Sequence, residues 1–216
     1  MDPDNENSSA APEASARRGS THKNGKNDSA ATSQKNRSRH SYSTVRRSTV
    51  ATSHRINIEN TAVPSETDVV AEQYLDAGDK YLDSGNFTEA MAAYKKAVTA
   101  APNNADAYVA IGNAYNNMAE YGDAFKPFVQ AIHLDPSNPN AYYGIGHAYV
   151  NVDRPREAIT YLRSAIRLDP EFAEAHYDLG LAYISLGQKG AAMKEYTILQ
   201  NLDPDMAKDI KSALTK

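Results

Sequence analysis

Apolar residues in the second half of the chain recur three and four positions apart, which is the spacing of one face of an α-helix. Within the segment 105–138 they form two rows, first Tyr108, Ile111 and Tyr115 and then Phe128 and Ile132. Polar residues separate the rows. The pattern predicts two antiparallel helices, roughly at 105–118 and 121–134.

The same pattern returns every 34 residues. A glycine and a tyrosine in the first helix, an alanine in the second and a proline just after it keep one phase over four copies; the glycines are Gly78, Gly112, Gly146 and Gly180. A fixed period of this size indicates a stacked repeat array. One copy cannot bury its apolar face alone, whereas stacked neighbours can.

The motif within each period resembles the tetratricopeptide repeat (TPR), in which an aromatic, Leu-Gly, Tyr, Ala, a second aromatic and Pro follow in order. In the second copy these are Tyr108, Ile111-Gly112, Tyr115, Ala124, Phe128 and Pro136. The resemblance implies an all-α fold, a right-handed α-solenoid of helix-turn-helix repeats. It covers four repeats, at 71–104, 105–138, 139–172 and 173–206.

Both ends of the array have their own sequence features. Ser65 and Asp68 match a capping-box pattern and predict that helical order begins near Ser65, so the array occupies 65–216. After the last repeat, Met206, Ile210 and Leu214 lie four apart on one helical face. They predict a capping helix at 207–216, which a repeat array needs at its end.

Three residues make specific local predictions. Gly85 and Gly187 mark the turn between the two helices of the first and last repeats. Pro127 falls inside the predicted second helix of the second repeat, where proline removes a backbone hydrogen bond and costs about 3 kcal/mol. We therefore expect that helix to be kinked or shortened.

Residues 1–64 differ in composition from the array. They are rich in Ser, Asn, Thr, Ala and Arg and lack apolar periodicity, which predicts a disordered tail. The segment 17–55 holds ten Lys+Arg and one acid, so it can contact nucleic acid or acidic surfaces through charge alone. Because interleaved aromatic residues are missing, nucleic acid is the weaker candidate.

Ser20 and Thr49 in this tail follow paired arginines and are candidate phosphorylation sites. Each phosphate would add about −1.5 to −2 charge to the tail. The sequence leaves open whether the tail regulates the array, for example by occupying an acidic groove, or only solubilises the protein.

No constellation of residues indicates catalysis. The chain has no cysteine, no Gly-rich phosphate loop and no His-Glu-x-x-His, and its histidines lack ligand-like spacing. We predict no enzymatic activity, no cofactor and no metal site. The start of the chain lacks a secretory pattern, and no apolar run approaches the roughly 18 residues of a membrane span, so we expect no membrane contact and a cytoplasmic protein.

In the TPR family the first helix of each repeat lines a concave groove, and the resemblance assigns the candidate binding residues. They are acids, amides, aromatic residues and one histidine, namely Asp79, Asp83, Asn113, Asn117, Tyr143, His147, Asn151 and Tyr177. Asn offers a donor and an acceptor to a peptide backbone, and Tyr offers contact area with a polar tip. The main prediction is a non-enzymatic adaptor that binds a peptide segment in this groove, although the amides could instead be merely solvated.

The family also suggests a test of ligand type. TPR co-chaperones hold an acidic C-terminus with a clamp of Lys, Asn and Arg, and Asn113 matches a clamp Asn. The repeats can be matched to the clamp in two registers, and the cationic positions hold other residues in both. They are Val109, Glu174 and Asp178 in one register and Leu75, Asn140 and Gly144 in the other. The whole predicted groove, which also includes Glu72, Asp106 and Glu174, has five acids and no Lys or Arg, so we expect a neutral or basic protein or peptide partner.

Two functions of other classes stay open at this point. The array could act as a structural scaffold that self-associates, and the basic tail could bind nucleic acid or acidic surfaces. The oligomeric state cannot be predicted from the sequence.

Overall fold

A computed structural model of the protein describes residues 65–215, which form nine α-helices and no strand. The tail at 1–64, with Ser20 and Thr49, lies outside the described residues. The predicted all-α solenoid is confirmed for the described part of the chain. The helices are α1 (Glu66–Asp83), α2 (Phe87–Ala100), α3 (Ala105–Asn117), α4 (Tyr121–Leu134), α5 (Pro139–Asn151), α6 (Pro155–Leu168), α7 (Ala173–Ser185), α8 (Lys189–Leu202) and α9 (Pro204–Leu214).

Consecutive helices pair as α1 with α2, α3 with α4, α5 with α6 and α7 with α8, and each second helix also contacts the first helix of the next repeat. The first helices of neighbouring repeats contact each other in turn. Within residues 65–215, no Cα atoms of neighbouring second helices lie within 8 Å of each other. The first helices therefore form a continuous inner layer, and the second helices form a more widely spaced outer layer.

Close packing between the layers depends on small residues around single large ones. The alanine that repeats in each second helix has no exposed surface, as at Ala124. The ring of Phe128 is fully buried beside Gly112 of its own repeat and Gly144 of the next. A Cβ on either glycine would lie less than 3.0 Å from several ring carbons, so both positions require glycine.

The turns between paired helices all need one left-handed residue. Gly85 and Gly187 have φ of 75° and 70°, as expected of the predicted turn glycines. Repeats 2 and 3 place Ala119 and Asp153 there instead, with φ of 59° and 57°. A side chain in this region costs roughly 1–2 kcal/mol, so these two turns store strain that glycine would remove.

The helix ends show the predicted capping box, in which Ser65 Oγ accepts from Asp68 N–H and the Asp68 carboxylate accepts from Ser65 N–H. Of the two effects expected at Pro127, shortening of α4 is wrong, because α4 has 14 residues, as many as α6 and α8, and a kink stays a prediction. One missing N–H near the middle of a helix that packs on both neighbours does not end it.

The last helix begins at Pro204, earlier than the repeat register implies, because Asp203 caps its free N–H groups. Its apolar face is buried, with Met206 5%, Ile210 0% and Leu214 9% exposed. Ile210 packs over Gly180 of the last repeat. This face of α9 therefore covers α7 and α8.

Candidate functional site on the inner layer

The inner and outer layers carry opposite charge. The first helices of the four repeats hold nine carboxylates and one base, Lys80. The second helices hold eight Lys+Arg and four carboxylates. In repeats 2 to 4 the first helices, α3, α5 and α7, contain no Lys or Arg. The inner layer is therefore the acidic side of the array.

Polar side chains tie neighbouring first helices together. Asn138 Nδ2, at the N-cap of α5, donates to Asp106 Oδ1 of α3 at 2.9 Å, and Asn116 Nδ2 of α3 donates to the Gly144 carbonyl of α5 at 3.1 Å. Among the described residues, Asn116 Oδ1 is the buried side-chain oxygen without a hydrogen-bond partner. Such an atom costs about 1–3 kcal/mol, so the contact fixes the helices at some energetic expense.

The strongest link joins repeats 3 and 4. His147 Nδ1 lies 2.7 Å from Asp178 Oδ2, and the two residues are only 4% and 5% exposed. Asn151 Nδ2 lies 2.8 Å from His147 Nε2 and donates to the His147 carbonyl at 2.9 Å. Together these residues form one buried polar network on the inner layer.

The hydrogen bonds of this network define the tautomer of His147. Because Asn151 Nδ2 donates to the backbone carbonyl, the same amide group faces Nε2 as a donor, and Nε2 accepts. Nδ1 then carries the proton and donates to Asp178. The Asp–His pair resembles part of a hydrolytic triad, but Nε2 faces an amide and not a nucleophile, so this geometry positions helices and does not activate a hydroxyl.

The structure groups some of the predicted groove residues and separates others. Tyr143, His147 and Asn151 lie one turn apart along α5, and the Tyr143 ring is 4.8 Å from that of Phe172. Asn113 and Asn117 lie one turn apart on α3, where Asn117 Nδ2 donates to the Asn113 carbonyl at 2.8 Å. These two clusters lie on adjacent first helices.

The remaining predicted residues lie towards the two ends of the array. Asp79 accepts a hydrogen bond from Tyr94 Oη at 2.7 Å, so it takes part in packing within repeat 1, while Asp83 is exposed. Tyr177 is half-buried and packs against the cluster that includes α9. Asp178 is not among the predicted groove residues, yet it is the residue that pairs with His147.

A second histidine is buried between the layers. His176 Nδ1 lies 2.7 Å from Glu195 Oε2, and Nε2 lies 3.0 Å from the Pro170 carbonyl. Glu195 and Pro170 both present acceptor oxygens, so their positions favour the doubly protonated imidazolium of His176. Burial alone would lower the pKa of His176, but the Glu195 and Pro170 hydrogen bonds outweigh it and raise the pKa. Residues 65–215 contain no group of three potential metal ligands.

Comparison with known proteins agrees with this architecture. Residues 78–118 and 120–153 match the family described as TPR repeat, and residues 143–207 match the family described as Tetratricopeptide repeat. The chain belongs to the TPR family. No match is found among curated proteins.

Solved structures with the same fold include several TPR proteins. A crystal structure of MamA is 31% identical, with 68% of this chain and 85% of that chain covered and a TM-score of 0.54. The first TPR of Spaghetti (RPAP3), bound to the HSP90 peptide SRMEEVD, is 25% identical, covers 56% and 95%, and has a TM-score of 0.53. TTC0263 of Thermus thermophilus, 20% identical with 67% and 79% covered and a TM-score of 0.58, shares the fold.

The TPR fold supports a role in protein–protein interaction. Among the described helices, none is long and apolar enough to cross a bilayer.

Proposed function

We propose that the chain is a non-enzymatic adaptor that binds a peptide segment of a partner protein along the inner layer. Membership of the TPR family supports a protein partner, and the RPAP3 domain is a neighbour solved with a peptide. The observation that carries the proposal is the composition of α3, α5 and α7. Their side chains include rows of amides and aromatic rings without a single Lys or Arg.

The chemistry of these rows suits an extended or helical peptide. Asn117 Nδ2 is used within its own helix, which leaves Asn117 Oδ1 to accept from a peptide N–H. Asn113, one turn away, provides both a donor and an acceptor. Tyr177 adds contact area with a polar tip. An amide-lined surface can therefore satisfy peptide backbone groups whatever the peptide's side chains are.

The charges select the kind of peptide. The RPAP3 ligand SRMEEVD carries three acids, whereas the inner layer here holds nine carboxylates and one Lys. At one of the clamp's cationic positions stands Asp178, buried and bound to His147. An acidic residue of a peptide ligand would be repelled by the carboxylates of this surface and would lack a cationic partner there. We infer that the partner segment is neutral or basic.

The experiment has two parts. Peptides selected by the full chain from a random displayed library should be neutral or basic, and SRMEEVD should not bind at micromolar concentration. Substitution of Asn113, Asn117 and Asn151 by Ala should then weaken binding of the selected peptides about tenfold or more, because each lost amide removes about 0.5–1.5 kcal/mol. The matched control replaces the exposed Asn86, Asn103 and Asn201 by Ala.

Equal binding by the two triple variants would mean that the inner amides are only solvated. Micromolar binding of SRMEEVD would contradict the inferred charge preference. Circular dichroism of each variant checks that the helices are intact, since Asn151 also contacts His147.

The covered end of the array supports an adaptor over an end-to-end scaffold. The buried row Met206, Ile210 and Leu214 occupies the surface that another repeat would need for stacking. A cytoplasmic location and a tail that modulates the array remain predictions from the sequence.

A further inference from the structure

The outer layer carries a second surface feature, on the side away from the proposed peptide site. One set of four positions recurs in each second helix. It begins at Thr88 in α2, Gly122 in α4, Arg156 in α6 and Gly190 in α8, and it continues with the residues four, seven and eleven positions later. At 100° per residue these positions fall within about 60° of one another, so they form a line along each helix. All sixteen residues are exposed.

This set, here called the outer stripe, is free of Asp and Glu. Residues 71–216 contain 19 acids and 13 Lys+Arg, and six of those 13 cations belong to the stripe. Its cations are Lys95, Lys126, Arg156, Arg163, Arg167 and Lys194. Carboxylates in the second helices occupy another register, with Glu89, Asp123 and Glu157 in the first turn, where they complement the helix dipole.

The cations of the stripe form no ion pair within residues 65–215; Glu157, which adjoins Arg156, pairs with Arg154. Among the described residues, the Lys and Arg side chains in ion pairs are Arg154 and Lys208, and neither belongs to the stripe. The acids of the inner layer lie about one interhelical distance away, roughly 10 Å. This exceeds the Debye length of about 8 Å at physiological ionic strength, so the stripe acts as a local positive surface on an acidic array.

We propose that the outer stripe is a docking surface for an acidic segment of a protein. Arg163 and Arg167 lie one turn apart, and Arg156 lies two turns before Arg163 on the same line of α6. Carboxylates at successive turns of an acidic helix have the same spacing. Arginine binds carboxylates through two parallel hydrogen bonds, which gives such a contact geometry as well as charge.

Two further observations favour protein over nucleic acid. Val129 is 56% exposed, in the same register as Arg163 and on the preceding second helix. It offers an apolar contact that an acidic protein segment can use and a phosphate backbone cannot. The sixteen positions contain no Phe, Tyr or Trp on which bases could stack. The outer stripe and the inner layer would thus take ligands of opposite charge.

The test uses the full chain and a fluorescent peptide made of repeated Glu-Glu-Leu-Glu units, titrated at low and at physiological salt. The test variant is Arg163→Gln/Arg167→Gln. The control is Lys80→Gln/Lys211→Gln, which also removes two exposed helical cations but lies off the stripe. The basic tail is present in both proteins, so its contribution cancels in the comparison.

We expect the arginine variant to bind the peptide about fivefold or more weakly, as two exposed ion pairs contribute up to about 2 kcal/mol. The lysine control should change affinity less than twofold, and Val129→Ser should weaken this peptide but not poly-glutamate. Asn113→Ala/Asn117→Ala, which tests the inner layer, should leave binding unchanged.

Several results would overturn the proposal. One is equal affinity for the arginine and lysine variants, which would place binding on the tail. Another is tighter binding of a single-stranded oligonucleotide that the arginine variant loses, which would assign the stripe to nucleic acid. A dimer of the unmodified chain that sedimentation shows to dissociate in the arginine variant would identify a second copy as the occupant.

Discussion

Replacing Gly144 by Ala tests the closest contact between two repeats. A Cβ at this position would lie 2.7 Å from Phe128 Cε2 and still closer to Cε1 and Cζ. The ring has little room to move, because it is fully buried and also lies close to Gly112, where a Cβ would be 2.6 Å from Phe128 Cε1 and Cζ. Alanine at 144 must therefore push α5 away from α4.

Two opposing effects set the magnitude. Gly→Ala inside a helix gains about 0.8–1 kcal/mol of helix propensity. Overpacking a close-packed core typically costs about 1–3 kcal/mol, and the immobile ring of Phe128 places this case at the upper end. The expected net result is destabilisation of the chain by about 1–2 kcal/mol.

The assay is urea unfolding followed by circular dichroism, analysed with nearest-neighbour coupling between repeats. Gly122→Ala is the matched control, because a Cβ there meets no atom within 4 Å and should be neutral or stabilising. In a Phe128→Leu background, where the ring is gone, Gly144→Ala should lose its cost, giving a coupling energy of about 1–3 kcal/mol. A Gly144→Ala protein as stable as the control, or strict additivity with Phe128→Leu, would refute the reasoning.

Three further predictions follow from local geometry. Ala119→Gly should remove left-handed strain of about 1–2 kcal/mol. The greater entropy of glycine in the unfolded chain offsets about 0.4–1 kcal/mol of this gain. The urea midpoint should therefore rise, and a lower midpoint would contradict this prediction. The pKa of His176 is higher in the folded chain than its ordinary value of about 6.5. Its contribution to stability should therefore be complete below about pH 6.5 and should be lost as the pH rises through the folded pKa. The urea midpoint of the unmodified chain should fall over this pH range, and that of His176→Tyr should not. Asp178→Ala should cost about 1.5–3 kcal/mol in unfolding free energy, and a double-mutant cycle with His147→Ala should be non-additive.

The repeat register predicts the helices well because each repeat supplies its own boundary signals. Ser65 begins the first helix as its capping box predicts, and Gly85 turns where the sequence places it. Ala119 carries no such signal, and Asp153 carries only a weak one, since Asp adopts a left-handed backbone more often than most residues but far less often than Gly. Their conformation comes from the packing of helix pairs on both sides of the turn, which outweighs local preference.

The polar network was harder to predict for a different reason. His147 and Asp178 are 31 residues apart and meet because their first helices are neighbours. Asn116 and Gly144, 28 apart, meet for the same reason. A search for complementary side chains about one repeat length apart, minus one helical turn, would have found the His147–Asp178 pair. It would have missed the Asn116 contact, because Gly144 accepts through its backbone carbonyl. Residue type alone predicts neither contact, since an isolated His or Asn gives no sign of its partner.

Neighbouring first helices contact each other whereas neighbouring second helices do not, and this asymmetry has a mechanical consequence. The inner layer lies near the axis about which the array bends, and the outer layer lies about 10 Å from it. A rotation of about 5° per repeat would then change the spacing of the outer helices by roughly 0.9 Å while hardly stretching the inner layer. Elastic bending therefore preserves the distances along the inner surface, which suits a ligand of fixed length. The same bending changes the distances between the cations of the outer stripe, which suits a flexible ligand that can adjust the spacing of its own charges.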